Sequence, residues 1–163
     1  MTQQDNDRAQ DQARAQLAKI REMIAAASLD WEELEELREQ YARAVENCEE
    51  IPDELRDTLE ELEEQAGEYA SREEAEEAIY NSPLSIQYRS GWASSPEDMQ
   101  PEEFEILLCT GGPAVRILGE LDFNGCPHRA WLEFQDWGTP WAHYYEEGAG
   151  DTLLDYASRL ISL

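Results

Sequence analysis

Cationic side chains are scarce in this sequence: one lysine, Lys19, and eleven arginines stand against 38 acidic residues, a formal net charge of −26 over 163 residues. That scarcity excludes binding to nucleic acid through its phosphates, an affinity that comes from Lys and Arg releasing condensed counterions. It also excludes an anionic membrane surface as a partner. No apolar run approaches the roughly 20 residues of a membrane span, and the polar N-terminus lacks the apolar segment of a signal peptide. Cysteine is sparse, odd in number and widely spaced (Cys48, Cys109, Cys126), which fits neither a disulfide framework nor a cysteine-based zinc site. The expected setting is a reducing cytoplasm.

What the chain does have is aromatic side chains and locally concentrated acid. Five Trp, seven Tyr and three Phe argue against full disorder. Residues 1–29 are neutral overall, residues 30–80 carry 21 acids against Arg38, Arg43, Arg56 and Arg72, and residues 81–163 carry 13 acids against four arginines. Halophilic adaptation would spread acid over the whole surface. Here about two-thirds of the excess lies in less than a third of the chain.

Residues 1–7 read as a disordered polar tail. From Arg8 to about Ala27 the apolar residues Ala13, Leu17, Ile20, Ile24 and Ala27 follow helical spacing. Asp30 with Glu33 reads as a capping box that opens a second helix with Leu34, Leu37, Tyr41, Ala44 and Cys48 on one stripe. Pro52 starts a third, with Leu55, Leu59, Leu62, Ala66 and Tyr69. Ser71 with Glu74 opens a short fourth helix that ends near Pro83. There the period changes to two: Leu84, Ile86 and Tyr88 alternate with polar residues. Further strands are expected over 104–109, 114–121 and 129–135, with a hairpin at Asp122–Gly125 and an antiparallel meander of the last three. Residues 136–145 read as irregular, and Asp151 as the cap of a final helix. The expected fold is α+β: an acidic helical arm of three to four helices over 8–82, then a four-stranded antiparallel sheet packed with a C-terminal helix over 83–163.

Three clusters in the second half stand out together: Arg89-Ser90-Gly91-Trp92, then Leu108 to Ile117 (LCTGGPAVRI) with Gly119-Glu120-Leu121-Asp122, then Gln135 to Trp141 (QDWGTPW). With the acidic helices before them, over about residues 17–160, they resemble a family of small acidic proteins of phages and mobile elements. The resemblance implies a context, a phage-borne accessory protein in the cytoplasm of a bacterial host. Small, very acidic phage proteins include inhibitors of host defence that mimic DNA, an analogy rather than a family property.

The acidic helices carry the functional expectation. Same-sign carboxylates lie four apart at 32/36, 35/39, 46/50, 53/57, 57/61, 60/64, 64/68 and 73/77. Each such pair costs a helix about 0.2–0.5 kcal/mol, a cost that a solvated face could avoid by mixing in lysine. An antiparallel hairpin of two 25-residue arms would be roughly 38 Å long and carry about one net charge per 2.2 Å, close to the one per ~1.7 Å of duplex DNA. Glu32, Glu36, Glu39, Asp57, Glu60, Glu61, Glu64 and Glu68 are therefore expected to stand in for phosphates and to occlude the nucleic-acid groove of a basic host protein. The alternative is an assembly module, its helices dimerising through their leucine stripes and an aromatic patch of Trp92, Trp137 and Trp141 binding a protein.

Other motifs have simpler readings. Thr110-Gly111-Gly112-Pro113 lacks the lysine and following helix of a phosphate loop and reads as a hairpin turn. His128 and His143 could each be drawn with Asp136 or Glu133 as a hydrolytic pair, but no Ser or Cys sits in a nucleophile context. Carboxylate pairs such as Glu102/Glu103 and Glu146/Glu147 lack calcium-loop spacing. No enzymatic activity, cofactor or metal is expected.

Overall fold

A computed structural model of the chain describes residues 3–161. Helices α1 (Gln3–Ser28), α2 (Trp31–Glu46), α3 (Asp53–Ala66) and α4 (Arg72–Asn81) precede strands β1 (Ser85–Ser90), β2 (Pro101–Cys109), β3 (Ala114–Leu121), β4 (Pro127–Gln135) and β5 (Ala142–Tyr144), and helix α5 (Ala149–Leu160) follows. The architecture is α+β, with one antiparallel sheet in the order β1-β2-β3-β4-β5 and α5 packed on β4.

Several boundaries differ from the sequence expectation, among them the starts of β2 and β4, which begin at Pro101 and Pro127. Helix α1 begins at Gln3 and takes in most of the stretch read as a tail, because nothing between Gln3 and Arg8 breaks a helix; residues 1 and 2 lie outside the described residues. The sheet has five strands instead of four. The fifth spans three residues, too few to show a period, and is laid against Leu132–Phe134 by the tight return at Asp136–Thr139, where Gly138 takes a φ of 69°. Helix α5 starts at Ala149 behind Gly148, which has a φ of 75°, so Asp151 sits inside the first turn and caps nothing.

The backbone forms two compact units: residues up to Arg21 together with those from Ile79 onward, and Glu22–Ala78. This division differs from the expected boundary at residue 83. The first turns of α1 belong with the sheet because their apolar stripe is needed there: Ala9, Ala13, Leu17 and Ile20 are buried. Arg21 also pairs with Glu146 beyond β5.

Within the sheet unit, one face is the core. Register places Ile86, Ile106, Ile117, Leu132 and Tyr144 in one row across all five strands, flanked by Phe104, Val115, Leu121 and Phe134. Leu153, Tyr156 and Ala157 of α5 are buried in the same unit. The hairpin signal at 122–125 holds: the Asp122 carboxylate accepts from the backbone N–H groups of Asn124 (2.8 Å) and Cys126 (2.9 Å), and these bonds hold its acid below the usual range.

Within Glu22–Ala78, α2 and α3 pack together and the six residues between them reverse the chain. Leu29, Leu34, Leu59 and Ala66 form the core, with Trp31, Leu37, Tyr41 and Leu62 against it. The Asp30 carboxylate caps α2 by accepting from Glu32 and Glu33, both at 3.1 Å. At α4 the Ser71 hydroxyl accepts from Glu74 N–H, and the Glu74 carboxylate accepts from Ala70 N–H. The leucine stripes read from the sequence are thus spent inside one chain.

Candidate functional surfaces

The division into units is also a division of charge. Glu22–Ala78 holds 22 acids and four arginines, a net charge of −18, while the remainder of the chain carries −8. Every acid singled out above is exposed: Glu32, Glu36 and Glu39 on α2, Asp57, Glu60, Glu61 and Glu64 on α3, and Glu68 just past it. The four arginines neutralise few of them. Arg38 binds Glu35 (2.7 Å) and Glu63 (3.2 Å), Arg43 binds Glu39 (3.3 Å), Arg56 binds Asp53, and Arg72 donates to the Leu29 carbonyl oxygen. Glu39 alone of the eight has a cationic partner among the described residues.

The geometry trims the expected repulsion. Gly67, at a φ of 58°, ends α3 before Glu68, and α2 ends at Glu46, so 64/68 and 46/50 are not helical neighbours. The six pairs that remain cost about 1–3 kcal/mol. The two helices are also shorter than the 25-residue arms expected, because Cys48 and Gly67 turn the chain. Together α2 and α3 carry a net −10; over the ~24 Å length of the 16-residue α2 that is about one charge per 2.4 Å, still near the spacing of duplex phosphates.

The second surface is the outer face of the sheet, which the sequence reading missed. Here charges alternate across the strands in register. Arg89 lies opposite Glu103, Arg116 opposite Glu133 and Arg129 opposite Glu120, and each pair is joined by an ion pair. Arg116 is the centre. It binds Glu133 at 2.7 Å and Glu105 at 2.6 Å, and its guanidinium lies 4.0 Å from the ring centroid of Trp141. Glu133 is the one buried charged residue among those described, and Trp131 Nε1 donates to its other oxygen at 3.3 Å. His143 reaches that oxygen at 3.5 Å and stacks between Trp131 and Tyr145. The three arginines and four glutamates of this face sum to −1, so it is almost neutral in a strongly acidic molecule. These pairs could have been found only once the register was known, since partners 9 to 17 residues apart show no periodic signal.

The three tryptophans do not form one patch. Trp141 sits over Arg116 beside β5, and Trp137 is exposed in the Asp136–Thr139 return near Gly112. Trp92 follows β1, at the opposite edge of the sheet, and is fully exposed. The TGGP segment joins antiparallel β2 to β3, with Gly111 at a φ of 106°. His128 approaches Glu120 at 3.5 Å, and no serine or cysteine hydrogen-bonds to either histidine among the described residues. No cluster of three or more His, Cys, Asp or Glu able to hold a metal ion occurs among the described residues, nor does a helix long and apolar enough to cross a membrane.

No protein-family model, curated protein or solved structure matches this chain.

Proposed function

We propose that this chain is a phage-type accessory protein that binds a basic surface through Glu22–Ala78, and that its partner is a nucleic-acid-binding protein of a bacterial host whose groove it occludes as a DNA mimic. The observation that carries the reading is the segregation of charge: a net −18 on one compact unit, with all eight selected carboxylates exposed and seven of them without a cationic partner among the described residues. Lysine in their place would relieve the repulsion within α2 and α3, so the acid has a cost that a purely solubilising face would not need. Carboxylates spaced near the phosphate interval would meet the arginines and lysines of a groove shaped for duplex backbone. Inhibition is then stoichiometric, by occupancy and without chemistry. The phage context rests on the resemblance at Arg89–Trp92, Leu108–Ile117 and Gln135–Trp141.

The test is competition. The chain is immobilised, bacterial lysate is passed over it at low salt, and bound proteins are eluted with a short duplex DNA at constant ionic strength. Release of nucleic-acid-binding proteins by duplex supports the reading. Retention of proteins that duplex does not displace, or no retention at all, contradicts it.

A further inference from the structure

Residues 78–96 contain no Asp or Glu, the longest acid-free stretch in a chain that carries 38 acids. Strand β1 lies in its middle and at the edge of the sheet, with β2 as its only strand neighbour among the described residues. Natural sheets blunt such an edge with lysine, with proline, with inward-pointing charge or with a covering element. β1 has neither lysine nor proline, its one charge, Arg89, is engaged by Glu103 within its own sheet, and its register is regular from Ser85 to Arg89, shifting only at Ser90. The opposite edge needs less protection, because β5 spans only three residues. Large apolar side chains are also frequent in the sequence on either side of β1. Tyr80, Leu84, Tyr88, Trp92 and Met99 are all exposed, and among the described residues they are most of the exposed large hydrophobic side chains.

We propose that β1 pairs edge to edge with β1 of a second copy, joining two five-stranded sheets across a two-fold axis at Gln87. Antiparallel pairing about Gln87 sets Ile86 opposite Tyr88 of the second copy, and Ser85 opposite its Arg89. The core faces of the two sheets then stay aligned, because Ile86 and Tyr88 share a face and partners in an antiparallel ladder do so too. A β-branched residue faces an aromatic one, a favourable cross-strand pair, and no like charges are opposed. Such a contact is isologous and closes at two copies. Charge selects this occupant. A basic partner, of the kind the acidic unit attracts, would meet no carboxylate along residues 78–96. Another copy of the same strand opposes no acidic side chain along the ladder; the nearest carboxylates are Glu103, held by Arg89, and Glu102 beside Gly91.

The pairing is independent of the proposed function, and salt tells the two apart. Binding to a basic partner weakens as salt rises. Association of two chains of −26 is opposed at long range, so screening strengthens it. The test is sedimentation equilibrium in about 0.1 M and about 1 M NaCl, where the Debye length is ~10 Å and ~3 Å. The apparent mass is expected to rise with salt from 18.7 kDa toward twice that value. Gln87→Lys brings two ammonium groups together at the axis and is expected to hold the mass at 18.7 kDa, with an unchanged near-ultraviolet dichroism spectrum showing that the fold is intact. With Cys48 and Cys126 changed to Ser, Gln87→Cys is expected to crosslink two chains on oxidation, and Ser85→Cys is not. A chain monomeric at both salts would overturn the proposal. So would a dimer that survives Gln87→Lys and is not crosslinked through Gln87→Cys.

Discussion

Phe104 lies directly across the β2–β3 ladder from Gly119, and its ring occupies the space where a side chain on Gly119 would be. A β-carbon at residue 119 would overlap both that ring and the Arg129 carbonyl oxygen, and the latter is backbone in a paired strand. Gly119→Ala is therefore expected to destabilise the protein by about 1–3 kcal/mol, the range of an overpacked core. Chemical denaturation measures this, and an unchanged midpoint would show that the ring can move aside.

Cys48 is the one non-glycine residue with positive φ among those described, at 55°. Its N–H donates to Val45 O and the next N–H, on Glu49, to Ala44 O at 2.9 Å. Those bonds close α2 with the motif that elsewhere favours glycine. Cys48→Gly is expected to raise stability by about 1 kcal/mol, since the left-handed conformation costs an L-residue about that much. Thermal unfolding checks it; a lower melting temperature would mean that the thiol makes a contact worth more than the strain.

Tyr156 is buried, and its hydroxyl lies 2.5 Å from the Ser82 hydroxyl, which also donates to the Ile79 carbonyl oxygen. Burial pushes its ionisation up to about 12, partly offset by the bond to Ser82. A tyrosine ionises near 10 in the unfolded chain, so its contribution is intact below pH 10 and is lost as pH rises from 10 to 12, on the order of 2–3 kcal/mol. Tyr156→Phe is expected to cost about 0.5–1.5 kcal/mol at neutral pH for the lost hydrogen bond. Its stability should then fall less steeply than the parent's across that window. Parallel curves for parent and variant would contradict the assignment.

Residues 83–163 are expected not to fold alone. Without α1 the fragment lacks the buried stripe Ala9, Ala13, Leu17 and Ile20, and Glu146 loses Arg21, the chief cause of its lowered pKa. Amide NMR of the fragment should be poorly dispersed, and dispersion should return when a peptide of residues 1–28 is added. A dispersed spectrum from the fragment alone would show that α1 is dispensable to the sheet.

The helices and the long strands were legible because periodicity and capping are local. Asp30 and Ser71 mark helix starts wherever they occur before such stripes, and the alternation of Phe104, Ile106 and Leu108 needs no partner to be seen. What could not be read was decided by pairing. Ala142–Tyr144 becomes a strand only because β4 is there to receive it. Arg116 becomes the centre of a charge lattice only when Glu105 and Glu133 are brought beside it. The division at Arg21 was equally hidden, since a continuous helical period gives no sign that its first turns serve one core and its last turns another. Among the candidate residues, the eight acids were found from charge alone and are exposed, while Trp92, joined to Trp137 and Trp141 as one expected patch, follows the strand at the opposite edge of the sheet.

The most direct test of the acidic unit is the quadruple change of Glu60, Glu61, Glu64 and Glu68 to Gln. Helix propensity is nearly preserved. The 60/64 and 57/61 repulsions are both removed, so stability should rise by up to about 1 kcal/mol. The decisive measurement is the affinity of this variant and of the parent, as a function of salt, for a bacterial nucleic-acid-binding protein that duplex DNA displaces from the parent. The expected result is weaker binding with a shallower dependence on salt, because fewer partner cations are engaged. Equal affinity and equal salt dependence for the two proteins would contradict phosphate mimicry by α3.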